Sequence, residues 1–311
     1  MQVPNVKNIW VVFLIIPGLF IASSCNNQGA QPEANSGVAE TVVSDLEVFP
    51  YSILDSDGNE VVFDGPPERI IAIDSSAVEI LFSLGQEHRL VGTHDFVSYP
   101  PGVAEIPRIG DAFNLNLESI VDLDPDLVFV FSKGFLPDLS RAGLKVLYLD
   151  SLNTSFQDIP QNIRMWGHIT GNTKRAEIEA SKIETKIIQM QAVISTRPVG
   201  PSIFLDDGDF WTPGSDTMIG EAFEFLNLQN IAYDISGYEQ LSPEIIVDRD
   251  PQIIIAMSGN TISEIPSFKN ISAVKNEKVF VPKSDSLAIA GPRFIDAIEE
   301  LYLWIYSDYV W

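Results

Sequence analysis

The sequence predicts two α/β lobes with central, mainly parallel sheets, joined by one long backbone helix. Three observations carry that reading. A phrase occurs twice, 126 residues apart: Glu118-Ser-Ile-Val-Asp-Leu-Asp-Pro-Asp-Leu-Val-Phe-Val-Phe-Ser132 and Glu244-Ile-Ile-Val-Asp-Arg-Asp-Pro-Gln-Ile-Ile-Ile-Ala-Met-Ser258. Each copy reads as a short helix, a proline stop and a five-residue apolar strand, at 127–131 and 253–257. Neither apolar run alternates with polar residues, as expected of strands buried on both faces of a parallel sheet. Between the copies, 156–194 is strongly helical with a break near 167–172. There Ile183, Ile187, Met190 and Ile194, spaced four, three and four apart, form an amphipathic stripe. Two similar lobes facing each other enclose a cleft, and a cleft implies binding.

The elements follow in order. Around Asp55-Ser-Asp-Gly-Asn59, 46–63 holds two short β runs, a hairpin signal. The same residues imitate the start of a calcium loop. However, Glu60 stands where that loop needs glycine and Pro66 where it needs glutamate, so a turn is the reading. A strand at 69–73 leads into a helix opened by Ser76-Ala-Val-Glu79, a capping-box pattern. A strand at 90–92 and the first copy of the repeat come next, then a short helix opened by Pro137 and a strand at 146–149. This βαβ succession is that of an open parallel sheet. Asn116 and Ser242 stand at matching N-cap positions of the two repeated helices. Pro243 suits a first helical turn, and Pro125 and Pro251 cannot continue a helix. The second lobe runs through a strand at 202–205, a 206–213 loop, a helix over 217–226, the second copy, a strand at 279–281 and a final helix over 292–306.

The ends stand apart from this fold. Lys7 and an apolar stretch at 9–22 precede Ala22-Ser-Ser24 and the single cysteine, Cys25. The stretch is shorter than the roughly 20 residues of a membrane span. Small residues before a lone cysteine resemble the bacterial lipoprotein signal, in which Cys25 is lipidated and becomes the new N-terminus. An ordinary secretory signal is the alternative. Either way the mature chain is expected outside the cytoplasm. The resulting division is a signal at 1–25, a flexible polar tether at 26–45, an N-terminal lobe at 46–152, a helical connector at 153–198 and a C-terminal lobe at 199–311. Forty-three acids against 19 bases give a formal net charge of −24, which argues against nucleic acid as a partner.

Enzyme signatures are absent: no Gly-x-Ser-x-Gly elbow, phosphate loop or His-Glu-x-x-His occurs. His88, His94 and His168 lack metal-ligand spacing, and no metal site is expected. Asp206, Asp207 and Asp209 could imitate an acid–base loop, and an acidic turn explains them as well.

Pro67-Glu-Arg-Ile-Ile-Ala-Ile-Asp-Ser-Ser-Ala-Val-Glu-Ile-Leu-Phe-Ser-Leu-Gly85 resembles the opening of the periplasmic-binding-protein family that serves ABC importers of iron chelates, haem and cobalamin. Tyr99-Pro-Pro101, Asn116-Leu-Glu118, Ile169-Thr-Gly171, Asn230-Ile231 and Gly291-Pro-Arg293 follow in the family's order. The resemblance implies two lobes joined by a long helix and one docking acid per lobe for arginines of the permease. Those acids fall on Glu79 and Glu224, with Glu221 a competitor for the second. It places ligand contacts on Phe96, Tyr99, Phe131, Trp211, Tyr238 and Arg293, with Phe210 in the same loop set. Compared with the cobalamin-binding member, Ser286 and Leu287 stand where that protein has aromatic residues. The expected protein is a monomeric, lipid-anchored solute-binding protein, with no cofactor and no catalysis. It delivers a metal chelate to an ABC permease with its ATPase. A corrinoid leads as ligand, and haem or a ferric siderophore is the alternative. An extracytoplasmic enzyme or a ligand sensor on the same scaffold is the alternative from another class.

Overall fold

The computed structural model describes residues 49–150, 154–259 and 261–306; Cys25 and the 1–45 segment lie outside them. The chain opens with an antiparallel hairpin, β1 (Tyr51–Leu54) and β2 (Glu60–Phe63). Its turn is closed by the Asp55 carboxylate, which accepts from the backbone N–H groups of Asp57 and Asn59 at 2.9 and 2.8 Å.

The first lobe alternates strands and helices: β3 (Ile70–Ala72), α1 (Ser75–Ser83), β4 (Leu90–Thr93), α2 (Leu117–Asp122), β5 (Leu127–Val130), α3 (Leu136–Arg141) and β6 (Val146–Tyr148). Its four strands are parallel in the order β4-β3-β5-β6. A helical pair follows, α4 (Ile159–Thr170) and α5 (Thr173–Ile194), broken where Gly171 adopts a left-handed φ of 73°. The second lobe holds β7 (Ser202–Asp206), β8 (Trp211–Pro213), α6 (Met218–Phe225), β9 (Gln229–Asn230), β10 (Tyr238–Gln240), α7 (Pro243–Arg249), β11 (Ile253–Ala256), α8 (Ser272–Lys275), β12 (Val279–Phe280) and α9 (Pro292–Ile305). Its parallel sheet has the order β12-β11-β7-β9. The lobes thus have the predicted α/β architecture.

The repeated phrase is a repeated structure. In both lobes its strand pairs with the lobe's opening strand, β5 with β3 and β11 with β7. Asn116 and Ser242 cap α2 and α7, accepting from Ser119 N–H at 3.1 Å and Ile245 N–H at 3.4 Å. Asp124 and Asp250 end them in left-handed conformations, φ 46° and 40°. The residue after each proline clamps the opening strand. Asp126 accepts from the Glu68 and Arg69 amides at 2.7 and 3.0 Å, and Gln252 accepts from the Ser202 amide at 3.0 Å. Every residue of β5 and β11 is buried. Each such aliphatic side chain contributes about 1.5–3 kcal/mol relative to exposure. Both strands stop at four residues, one short of the predicted run, and leave Phe131 and Met257 at their carboxyl ends.

The connector touches both lobes. Trp166 of α4 packs edge-on to Phe129 of β5 with ring centroids 5.2 Å apart. Phe156, just before α4, packs on Phe225 of α6 at 5.3 Å and Phe294 of α9 at 5.8 Å. Arg164 of α4 forks onto Glu177 and Glu184 of α5, with contacts of 2.6–2.9 Å. At 22 residues α5 spans about 33 Å. After the second lobe, α9 returns across the molecule to pack on α5 and α1. Length and composition gave no sign of that return.

Candidate ligand-binding cleft

A cavity of ≈ 250 Å³ opens between the lobes. The first lobe supplies the ends of its strands: Asp74 and Ser75 after β3, His94 after β4 and Phe131 after β5. The second lobe supplies Thr217 and Met218 at the start of α6 and Tyr238 on β10, and the 288–290 stretch before α9 completes the wall. Ligands of open α/β sheets bind outside the carboxyl ends of strands, and the first lobe follows that rule residue by residue.

Asp74 is the true N-cap of α1, accepting from Ser76 N–H at 2.7 Å and Ala77 N–H at 3.3 Å. This corrects the capping box expected from Ser76 and Glu79. With Asp74 as the cap, the helix starts two residues earlier than a cap at Ser76 would set, and Glu79 falls on a buried face. His94 is only 5% exposed. Its Nδ1 accepts from the Phe96 amide at 3.3 Å, so the neutral ring carries its proton on Nε2, 3.2 Å from Ser75 Oγ. Desolvation pushes its pKa below the ordinary histidine value, against the opposing pull of Asp74. His88 lies on a separate turn and His168 stacks on Tyr51 at 5.2 Å, so the three histidines stay apart. Among the described residues no cluster of His, Cys, Asp and Glu could hold a metal ion.

Tyr238 faces Pro213 across the β8–β10 ribbon, and Gln240 faces Trp211. Directly opposed residues share a face, so Trp211 and Tyr238 form one aromatic surface, 47% and 46% exposed. Desolvation and the nearby Asp207 carboxylate push the Tyr238 phenol up to about 12. The ribbon differs from the loop expected at 206–213, because its strands have three residues each and all of β10 lies at the surface. The acidic loop between β7 and β8 is a turn: Asp206 accepts from the Gly208 and Phe210 amides at 3.1 and 2.8 Å.

Of the six predicted contact residues, the structure brings Phe131 and Tyr238 to the cavity wall. Phe96 and Trp211 stand exposed beyond it, and Tyr99 and Arg293 are elsewhere. Arg293 is not a cleft residue. Its guanidinium lies 3.8 Å from the centroid of the Tyr99 ring and donates to Glu79 Oε1 at 3.0 Å (from Nε) and to Asp285 Oδ1 at 3.0 Å. The Glu79 side chain is 3% exposed and turned onto Arg293, unlike the exposed acid expected for docking. Glu224 is exposed on α6, whereas Glu221 accepts from Ser155 Oγ at 2.7 Å and Gln157 Nε2 at 2.9 Å. Lys133 is drawn to Asp57 at 2.7 Å. Sequence reasoning missed Asp74, Ser75 and Thr217, although the polar steps at the end of β3 and the start of α6 mark them. Where aromatics were expected, Ser286 sits in a turn and Leu287 is buried, and small residues at 288 and 290 widen the cleft.

The family model for periplasmic binding proteins matches residues 70–286. The chain belongs to that family. An uncharacterised ABC transporter substrate-binding lipoprotein of Bacillus subtilis (strain 168), YvrC, is 28% identical over 314 residues, covering 96% of this chain and 97% of that one. A cobalamin-binding protein of Halobacterium salinarum (strain ATCC 29341 / DSM 671 / R1) is 26% identical over 289 residues, 87% of this chain and 77% of the relative. The crystal structure of the periplasmic vitamin B12 binding protein BtuF of Vibrio cholerae superposes with a TM-score of 0.69 at 24% identity, covering 77% of this chain and 97% of that chain; this likeness establishes a shared fold. Among the described residues of this binding protein no helix is long and apolar enough to cross a membrane.

Proposed function

We propose that this periplasmic binding protein captures a corrinoid between its lobes and hands it unchanged to an ABC permease. The observation that carries the ligand class is the charge of the cavity wall. No lysine or arginine lines it, its histidine is held neutral, and its one carboxylate caps a helix. Lys133 and Arg293 are committed to Asp57 and to Glu79 with Asp285. Such a wall is poorly suited to a tri-anionic ferric catecholate and well suited to a large, mostly uncharged macrocycle that lies on Tyr238 and Phe131. Aromatic contacts of this kind contribute about 0.5–1.5 kcal/mol beyond area burial. The name of the Halobacterium relative agrees with this reading.

The working protein is a monomer tethered outside the cytoplasm by lipid on Cys25, and it docks on the permease through Glu224. The lipoprotein name of the Bacillus relative supports the anchor. Haem is the second reading, favoured by the imidazole of His94 at the cleft wall, which would serve as an axial donor through Nε2 on moving its proton to Nδ1 and giving up the Phe96 amide bond. Titration of the purified protein with cyanocobalamin, haemin and a panel of ferric siderophores separates the readings. Submicromolar cyanocobalamin binding is expected. Submicromolar binding of a siderophore with none of cyanocobalamin would overturn the corrinoid reading, and a shifted Soret band lost in His94→Ala would put haem first.

A further inference from the structure

We propose that a groove on the first lobe, divided from the interlobe cavity by the ring of Phe131, is a second compartment of the ligand site and takes a flat, uncharged aromatic arm of the bound chelate. The groove encloses ≈ 520 Å³, about twice the interlobe cavity. Two chain segments join the compartments. Phe131 lines both, and Ala112 lines the cavity while its neighbour Phe113 lines the groove. The interlobe cavity alone falls below the roughly 300–1,000 Å³ of ordinary small-molecule sites, and with the groove the site falls well inside that range.

The chemistry of the walls selects the occupant. Phe113, Phe131 and Phe135 supply three phenyl rings, with Leu115, Leu117 and Leu139 around them. Phe131 and Phe135 meet edge-on, centroids 5.9 Å apart at 80°, an arrangement that leaves ring faces for an inserted planar group. The polar groups at the rim are engaged locally: Asn114 Nδ2 donates to the Asp111 carboxylate at 3.0 Å, and Asp138 pairs with Arg141. Nothing in that wall solicits a charge. Phe113 remains 74% exposed and Leu117 36% exposed. An arm reaching past Phe131 would cover both, and a large apolar side chain gains about 1.5–3 kcal/mol on full burial.

The assignment of this arm to a corrinoid rests on the reading above, so the test has an arm that does not. Leu117→Trp fills the groove from an exposed position at the start of α2, and Phe113→Ser removes one wall at an exposed site; thermal melts within a few degrees of wild type confirm folding. Cyanocobalamin carries a benzimidazole-bearing nucleotide arm, and dicyanocobinamide lacks it. Leu117→Trp is expected to weaken cyanocobalamin binding about tenfold or more and to leave dicyanocobinamide within about twofold. Saturation-transfer NMR with free 5,6-dimethylbenzimidazole is expected to show contact in the wild type that both variants lose. Equal losses for the two corrinoids, or none, would overturn the compartment while leaving the corrinoid reading intact. If the wild type binds neither corrinoid, that reading fails and the dimethylbenzimidazole signal alone decides the groove. Concentration-dependent dimerisation abolished by Leu117→Trp would assign the groove to a second copy of the chain and overturn the proposal.

Discussion

Arg293 of α9 donates to Glu79 of α1 across 214 residues of sequence, Nε to Oε1 at 3.0 Å, with the Glu79 side chain only 3% exposed. The contact fastens the C-terminal helix to the first lobe. A second bond from Arg293 to Asp285 and a 3.3 Å bond from Ser98 Oγ to Asp285 extend it to the loop after β4. The pair is close-packed: a Cβ on Gly291 would sit 2.7 Å from Glu79 Oε2.

Removing one partner of a buried pair leaves an uncompensated charge, at a cost of about 3–5 kcal/mol. Arg293→Met is therefore expected to be the more damaging change, because it strands the Glu79 carboxylate. Glu79→Gln leaves Arg293 with Asp285 and should cost less. The pH dependence fixes the cause. Desolvation raises the Glu79 pKa even with Arg293 beside it, and loss of Arg293 raises it further. An acid with a raised folded pKa contributes stability below its unfolded pKa and loses it as pH rises through the folded value. Arg293→Met should thus recover part of its deficit between pH 7.5 and pH 5, measured by urea melts. A deficit independent of pH would show that Glu79 is not the stranded group.

Gly167 of α4 sets the spacing of the helical connector. A Cβ there would lie 2.3 Å from Ala176 Cβ of α5. Gly167→Ala must separate the helices, and overpacking of this kind costs about 1–3 kcal/mol. The predicted outcome is a lower melting temperature, partly restored by Ala176→Gly in the double variant. Additive losses would place the strain elsewhere.

The Arg164 fork predicts an acid limit for the same connector. Hydrogen bonds from Arg164 hold the Glu177 carboxyl down to about 2, and Glu184 is lowered in the same way. Acids with depressed folded pKa values contribute stability above the unfolded value, and that contribution is lost as pH falls through the folded one. Arg164→Gln should remove a small, salt-sensitive increment at pH 7 that is absent near pH 2. Identical pH profiles for variant and wild type would remove the fork from the account.

What was legible in the sequence was what is local. The two copies of the repeated phrase encode their caps, their stops and their buried strands within 17 residues each, and the structure reproduces these with each strand one residue shorter. Phe131 and Tyr238 were pointed to by the family resemblance, and both line the interlobe cavity. The Glu79–Arg293 pair could not be placed, since nothing near Glu79 announces a partner 214 residues away. Instead, the capping-box pattern offered a false local explanation for the same side chain. The β8–β10 ribbon escaped because three-residue strands carry too little periodicity. Arg293 was misplaced because a cation after a glycine and a proline looks alike whether it faces a ligand or a buried carboxylate.

Docking is where the two glutamates part. Glu224 stands exposed on α6, while Glu79 is enclosed. An exposed carboxylate attracts a permease arginine over a range of about 8–10 Å at physiological salt, and an enclosed one paired with Arg293 through Oε1 adds little. Glu224→Lys is therefore expected to reduce uptake of radiolabelled cyanocobalamin in cells at least fivefold while leaving the Kd of the purified protein unchanged. Glu79→Gln, assayed below its melting temperature, should transport as the wild type does. Vesicle-reconstituted transport measured at rising ionic strength should fall for the wild type and stay flat for Glu224→Lys. Full uptake by Glu224→Lys, or loss of uptake by a folded Glu79→Gln with normal Kd, would return the docking role to Glu79 and require Arg293 to let go of it on the permease.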